Sequence, residues 1–331
     1  MKAAYIELPG PPDVIRYGDL PDPLPKDGEV RVKVAAVAVN PIDTYIRSGA
    51  VSMPLPKPFV VGCDLAGVVD KVGPGTHRFK IGDRVWGSNQ GLLGRQGTFA
   101  ELACVHEDFL YPIPAGVKDE DVAAISLVGI TAHLGLFMCA KLQPGEVVFV
   151  NGGTGGVGSM VVQMAKAVEA KAITTAGSDE KCKQARALGA DLTINYKTEN
   201  VAARIKEFTG GKGVHVWYET LREPDYDRTV EAMMPRGRIV IMAGRQARPQ
   251  FPHGPFYLKC LSLFGFAMFN IPAPEQRLAA EDINRWLVEK KLKANIGRRL
   301  KISEAAAAHQ LQEENTTKGA GTLAGKIVLT P

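Results

Sequence analysis

The chain has 331 residues, 45% of them apolar, enough for two ordinary domains or one domain inserted in another, each with a full core. Its net charge of +5 suits an anionic small molecule but is too weak and dispersed to argue for nucleic acid. No secretory signal or membrane-length apolar run stands out, and five scattered cysteines resemble neither a disulfide framework nor a metal knuckle, so a cytoplasmic chain outside the membrane is expected.

Residues 1–116 are rich in strand and turn signals. Residues 2–6 read as a first strand, and the Pro- and Gly-rich stretches at 10–12 and 21–25 as breaks. Residues 29–39 alternate and then turn wholly apolar, as a strand entering a core does. Asn40-Pro41-Ile42-Asp43 turns the chain into a short helix, with Pro41 in its first turn. Strand–turn–strand follows at 59–72, and further strands at 81–85 and from 97. The polar, Gly-rich loop 89–97 reads as mobile. The whole predicts a mostly antiparallel β domain.

From about residue 119 the period changes. Residues 122–140 have helical spacing, with a break expected at Gly129. Val147-Val148-Phe149-Val150 is a short apolar run of the kind buried on both faces, and a glycine-rich turn and an amphipathic helix follow it. Gly153, Gly155 and Gly158 fit G-x-G-x-x-G in the strand–turn–helix context that a dinucleotide site requires. Gly153 is expected to permit the tight turn, Gly155 to admit a pyrophosphate, and Gly158 to bring helix and strand together. Thr154, Gly156 and Val157 complete the phosphate-binding turn, whose amides and helix dipole favour anions. Further strands are expected at 171–175, 192–194, 214–218, 238–242 and 262–266, with helices at 179–188, 201–209 and 226–233 between them. Alternation of this kind predicts a doubly wound parallel sheet. The remainder, with helices at 279–290 and 303–314 and a strand at 326–329, is too short for a domain and should return to the first part.

The second strand ends Thr175-Ala176-Gly177-Ser178, without the acid that holds a ribose 2′-hydroxyl in NAD sites. Gly177 and Ser178 can offer donors to a 2′-phosphate, Lys181 follows one helical turn later and Tyr196 comes after the third strand; the missing acid favours NADPH. Alternatively, Ser178 only caps a helix, Lys181 is solvated, and Asp179 swings onto the ribose.

The chain resembles the medium-chain dehydrogenases/reductases, specifically their zinc-free quinone oxidoreductase branch, over essentially its whole length. The landmarks are Asn40 through Gly49, Val61 through Val69, Gly82-Asp83-Arg84-Val85, Gly97 through Glu101, Gly129-Ile130-Thr131-Ala132 and Gly152 through Gly158. The resemblance implies an α/β fold: a GroES-like β-rich catalytic domain (1–122 and 266–331) with an inserted Rossmann domain (123–265), assembled as a homodimer or homotetramer. It places Asn40, Cys63 and Asp64 where zinc-dependent relatives have a cysteine, a histidine and a neighbouring acid, and it supplies no third ligand near 126–129. No metal is therefore expected.

By the same resemblance Asn40, Asp43, Tyr45 and Thr131 line the reaction site. Asn40 would donate to a developing oxyanion or only cap the helix, and Asp43 would bond backbone or Arg47. Tyr45 would hydrogen-bond, stack or join the core. Thr131 would sit near the nicotinamide or cap a helix, and His133 would be packed. Gly244, Arg245, Phe266 and Met268 resemble loops beside the cofactor, with Phe269 walling the pocket or packed in the core. Lys326 falls where relatives make cofactor or rim contacts. Ala50 and Val51 depart from the aromatic that often follows the Ser-Gly turn, which weakens an enoyl-thioester reading. Glu219 stands where the family more often has Asp, with no explanation from the sequence. The implied activity is transfer of hydride or electrons from NADPH to a quinone. A reductase of activated C=C bonds is the alternative, and a non-catalytic cofactor- or RNA-binding crystallin-like protein is a third.

Overall fold

The computed structural model describes all 331 residues. It divides into two compact units. The first comprises Met1–Leu127, Ala273–Val288 and Lys293–Pro331, and the second Val128–Pro272 and Glu289–Leu292.

The chain opens with β1 (Lys2–Ile6), β2 (Arg16–Asp19) and the long β3 (Glu29–Val39), followed by α1 (Pro41–Ser48). Pro41 at the first helical position and Gly49 in the left-handed region (φ +81°) mark the two ends of α1. Next come β4 (Phe59–Val60), β5 (Leu65–Val72), β6 (Arg84–Gly87), β7 (Leu102–His106) and β8 (Leu110–Pro112), then α2 (Asp119–His133).

Helix α2 is not broken at Gly129; the irregularity comes later, as a π-helical stretch over Leu134–Cys139. A cause is visible. The Tyr218 hydroxyl donates to Thr131 O at 2.7 Å, competing for a carbonyl that an α-helix would pair four residues on. Gly135 leaves room for that ring, because a Cβ there would lie 2.5 Å from Tyr218 Cε2. Contrary to the expectation of no membrane-length apolar run, the 21-residue stretch Asp119–Cys139 would by length and composition suffice to cross a membrane. However, 78% of its most apolar window is buried inside the protein, as in a core helix.

The second unit continues with β9 (Val147–Val150), α3 (Gly156–Ala167), β10 (Lys171–Ala176), α4 (Asp179–Ala187), β11 (Leu192–Asn195) and α5 (Val201–Phe208). It ends with β12 (Val214–Glu219), α6 (Tyr226–Ala232), β13 (Met233–Ile241), α7 (His253–Leu258) and β14 (Ser262–Gly265). The strands form one parallel sheet in the order β11-β10-β9-β12-β13-β14, the Rossmann arrangement with its switch point between β9 and β12. Side-chain caps set the helix starts: Ser178, Asn200 and Asp225 each accept from a backbone N–H three residues on. Phe149 and Trp217 stack in the core with centroids 4.0 Å apart, among Ile173, Ile194 and Ile239.

The first unit is completed by α8 (Ala273–Val288), β15 (Ile296–Lys301), α9 (Ala305–Thr316) and β16 (Lys326–Thr330). Its main sheet runs β15-β16-β3-β5-β6-β8, with β7 also on β3, and β2-β1-β4 form a smaller sheet. All pairs are antiparallel except β15 with β16. Loop 89–97, expected to be mobile, is tied down: Asn89, Gln90 and Leu92 are buried, Asn89 donates to Gln276, and Arg95 lies over the Phe109 ring.

Candidate active site

In the second unit the turn after β9 holds the phosphate-binding residues. The left-handed residue there is Gly152 (φ +66°), not Gly153 as expected. Gly153 is required for another reason, since a Cβ would meet Thr174 at 2.5 Å. Gly155 is the N-cap of α3, and Gly158 lies so close to the Gly152 carbonyl that no side chain fits. Thr154 is buried in the same turn, with Gly156 and Val157 opening the helix.

A hydrogen-bonded chain beneath the turn holds it to the strand ends. Gly152 N donates to Thr175 Oγ1 at 3.2 Å, and Thr175 Oγ1 donates to Asn151 Oδ1 at 3.4 Å. Asn151 Nδ2 donates to Glu219 Oε1 at 3.2 Å, and Glu219 also accepts from Leu221 N and Trp217 Nε1. This accounts for Glu219: the longer acid ties the ends of β9 and β12 at the switch point. Burial raises its pKa, and those three donors oppose the rise.

At the end of β10, Gly177 packs against Tyr196, whose hydroxyl would stand 2.6 Å from a Cβ at Gly177. Ser178 Oγ accepts from Lys181 N at 3.3 Å and so caps α4. Asp179 does not reach toward a ribose; it accepts from Asn195 Nδ2 at 2.8 Å. The Lys181 pKa is lowered by partial burial and then by the neighbouring Lys197 ammonium. Lys197, next in the chain to Tyr196, is thus a second cation near Lys181, and its place depends on β11 returning beside β10 rather than on a local signal. The loop after β13 carries Gly244 (φ +81°), packed on the Arg222 carbonyl, and exposed Arg245. Phe266 is half-buried, with its N–H on Ile241 O at 3.2 Å; Met268 is buried and Phe269 half-buried in the turn after it. Thr131 is buried, and His133 packs on Phe137 with centroids 4.8 Å apart.

In the first unit the expected site residues meet in a buried polar cluster. Asn40 N donates to Asp43 Oδ2 at 2.8 Å, and Asn40 Nδ2 donates to Asp64 Oδ2 at 2.7 Å. Lys326 Nζ donates to Val39 O at 2.6 Å and to Asn40 Oδ1. Lys326 is therefore not at a rim: it is 6% exposed, and it reaches Asn40 because β16 pairs with the end of β3. Asn40 is fully buried with its amide engaged at both ends, so it is not poised to donate to a substrate oxygen. Asp43 bonds the backbone and is also linked to Cys63, while Arg47 reaches Gly10 O and Glu313 instead. Burial pushes the Asp43 carboxyl up to about 7 and also raises Asp64 and Cys63. Burial lowers Lys326, opposed by Asp64 and Asp43. Tyr45 stands half-buried one turn along α1.

An alcohol dehydrogenase GroES-like domain model matches residues 26–115, and a zinc-binding dehydrogenase model matches residues 156–284. Together they define a medium-chain dehydrogenase/reductase. Human quinone oxidoreductase is 32% identical over 330 residues, covering 99% of this chain and 97% of that protein. The solved structure of Escherichia coli quinone oxidoreductase complexed with NADPH superposes with TM-score 0.87 at 28% identity, and that of an NAD-dependent alcohol dehydrogenase with TM-score 0.89 at 33% identity; each pairing covers 100% of both chains. The chain belongs to the quinone oxidoreductase family of the medium-chain dehydrogenases/reductases and is an oxidoreductase.

The description of the second domain model implies zinc, and the residues do not fit it. The Asn40 carbonyl oxygen, the one metal-binding atom that residue has, already faces an ammonium. The Cys63 thiol is held protonated by burial and by Asp43. No three His, Cys, Asp or Glu side chains converge on a point that could hold a metal ion.

Proposed function

We propose that this chain is a zinc-independent, NADPH-dependent quinone reductase. The observation that carries the reading is the pairing of Lys181 and Lys197 beside Gly177 and Tyr196, at a strand end without an acid. A 2′-phosphate placed there would lie in the field of both ammonium groups, and no acid at the strand end would repel it. The turn also fits a dinucleotide: Gly153 and Gly158 admit no side chain, Gly152 leaves open space beside the backbone, and α3 begins directly after it with its first amides unpaired within the helix.

When bound, NADPH supplies a hydride, and the balance is quinone + NADPH + H⁺ → hydroquinone + NADP⁺. The protein's part is to hold the phosphates at α3, fix the adenosine end at Lys181 and Tyr196, and keep the turn rigid through Asn151, Thr175 and Glu219. Thr131 and the loops at Gly244–Arg245 and Phe266–Met268 are assigned to the nicotinamide half. The acceptor must spread the incoming charge itself, because the Asn40 amide already donates to Asp64 and to Ala38 O. Quinones do so; conjugated enones do so less well and are the second substrate class to test. The proton can come from water.

A cytoplasmic homodimer completes the proposal. Strand β14 is a sheet edge with every residue exposed, and Leu263, Phe264, Tyr257 and Leu258 leave apolar surface around it. A second copy related by a twofold axis would pair β14 with β14 antiparallel and cover that edge. The deciding experiment follows NADPH absorbance with 1,4-benzoquinone, 9,10-phenanthrenequinone and a 2-alkenal as acceptors, then repeats it with NADH. Quinone turnover with a clear NADPH preference is expected. Turnover of the alkenal alone would move the protein to the enone class, and binding of NADPH without any turnover would refute the enzyme reading.

A further inference from the structure

We propose that the Lys326 ammonium is the fixed cation of the buried acidic cluster, doing there what a bound metal ion would otherwise do. By fixing Asn40 it acts as a positioning residue for the start of α1, the helix that carries Tyr45. The inference relies on the reductase reading only for its kinetic readout.

Six chain segments converge on this cluster. The end of β3 brings Val39 and Asn40, the first turn of α1 brings Asp43, and the loop before β5 brings Cys63 and Asp64. Ser88 and the backbone of Leu127 border Asp64, and β16 brings Lys326. One oxygen of Asp43 and one of Asp64 are buried without a hydrogen-bond partner. A buried carboxylate in that state is tolerated only beside a positive charge, and both interact electrostatically with Lys326. The ammonium sits on Asn40 Oδ1 and leaves Nδ2 for Asp64, so it also decides which way the amide points.

The lysine is held as firmly as its partners. Lys326 N donates to Asn295 O at 2.7 Å, and the next residues pair in register with β3, Ile327 with Val39 and Val328 with Ala38. The cluster therefore carries its cation in its own covalent chain, and a chelator has nothing to remove. Loss of that charge would leave Asp64 unbalanced and Asn40 free to turn. The N–H that Asn40 gives to Asp43 would loosen with it, and so would the helix start.

The test uses the full chain purified as wild type, Lys326→Met, Lys326→Ala and the pair Lys326→Met with Asp64→Asn. Met keeps the length of Lys and removes its charge, so it separates packing from electrostatics. The wild type should contain no stoichiometric zinc, and EDTA should change neither its urea midpoint nor its turnover. With 1,4-benzoquinone, Lys326→Met should lose about tenfold in kcat while KM for NADPH stays within about twofold. Ethylammonium chloride should restore Lys326→Ala activity where equal sodium chloride does not. Adding Asp64→Asn to Lys326→Met should raise the urea midpoint again, and this arm stands if the single variant folds poorly. One zinc per wild-type chain would overturn the proposal, as would a Lys326→Met protein with wild-type midpoint and kcat. A selective rise in KM for NADPH would overturn it too, since it would make Lys326 a cofactor contact. If no acceptor oxidises NADPH in the wild type, the reductase reading fails, and the metal and stability arms still decide this one.

Discussion

His309 offers a sharp test of how the first unit holds its charges. It lies on α9, fully buried, with its ring edge-on to Phe99 at 5.9 Å and both ring nitrogens without a hydrogen-bond partner. Burial, and then the Arg47 guanidinium, push its pKa down from 6.5 to about 3. Between those values the unfolded chain binds a proton that the native state refuses, so stability falls as the pH falls through this window and is intact above it. At about pH 4.5 the loss from this one group is roughly 3 kcal/mol, two units at about 1.4 kcal/mol each. His309→Leu removes the titration and leaves no polar atom to satisfy, so at about pH 7.5 it should be close to neutral or mildly stabilising. Its advantage over the wild type should then grow by roughly 3 kcal/mol on going down to about pH 4.5. Urea unfolding of both proteins across that range measures the difference directly. A difference that stays flat with pH, or an imidazole proton signal that titrates near 6.5, would refute the argument.

The remaining predictions concern the second unit. Lys181→Ala should raise KM for NADPH about tenfold or more, the worth of a charge-assisted hydrogen bond, and leave KM for NADH within about twofold; steady-state kinetics with each nucleotide decides. Gly135→Ala should cost about 1–3 kcal/mol of stability in thermal or urea unfolding, because the new methyl collides with the Tyr218 ring at the π-helical stretch. If β14 pairs with β14 of a second copy as proposed, Leu263→Glu on that exposed edge should lower the sedimenting mass at micromolar concentration from two chains to one while far-ultraviolet dichroism is unchanged.

Local chemistry explains what could be read from the chain in advance. The β9–turn–α3 unit was legible because a short apolar strand, a glycine turn and an amphipathic helix are contiguous and each signals its own state. Strand β3 was legible to the residue because its pattern changes where it enters the core. Strand β15 and helix α7 carry no clear periodicity of their own and were missed. The π-helical stretch depends on Tyr218, far along the chain, and loop 89–97 on Gln276 and Phe109, so composition alone misjudged both. The place of Lys326 depends on β16 returning to β3 across nearly the whole sequence.

That last contact also bears on substrate class. The second unit keeps backbone donors at a helix start, where an anionic cofactor can use them. The first unit spends the amide of Asn40 on Lys326 and Asp64, within its own core. A simple ketone needs an external group to stabilise the oxyanion formed when hydride arrives, and this amide cannot turn to it without uncovering a buried charge. A quinone becomes aromatic as it accepts hydride and needs far less from the protein. Quinones should therefore turn over faster than any unconjugated ketone, and releasing Asn40 by Lys326→Met should not open the enzyme to ketones, because the same change disorders the start of α1. Measurable reduction of an unconjugated ketone by the wild type would show that another donor had been overlooked.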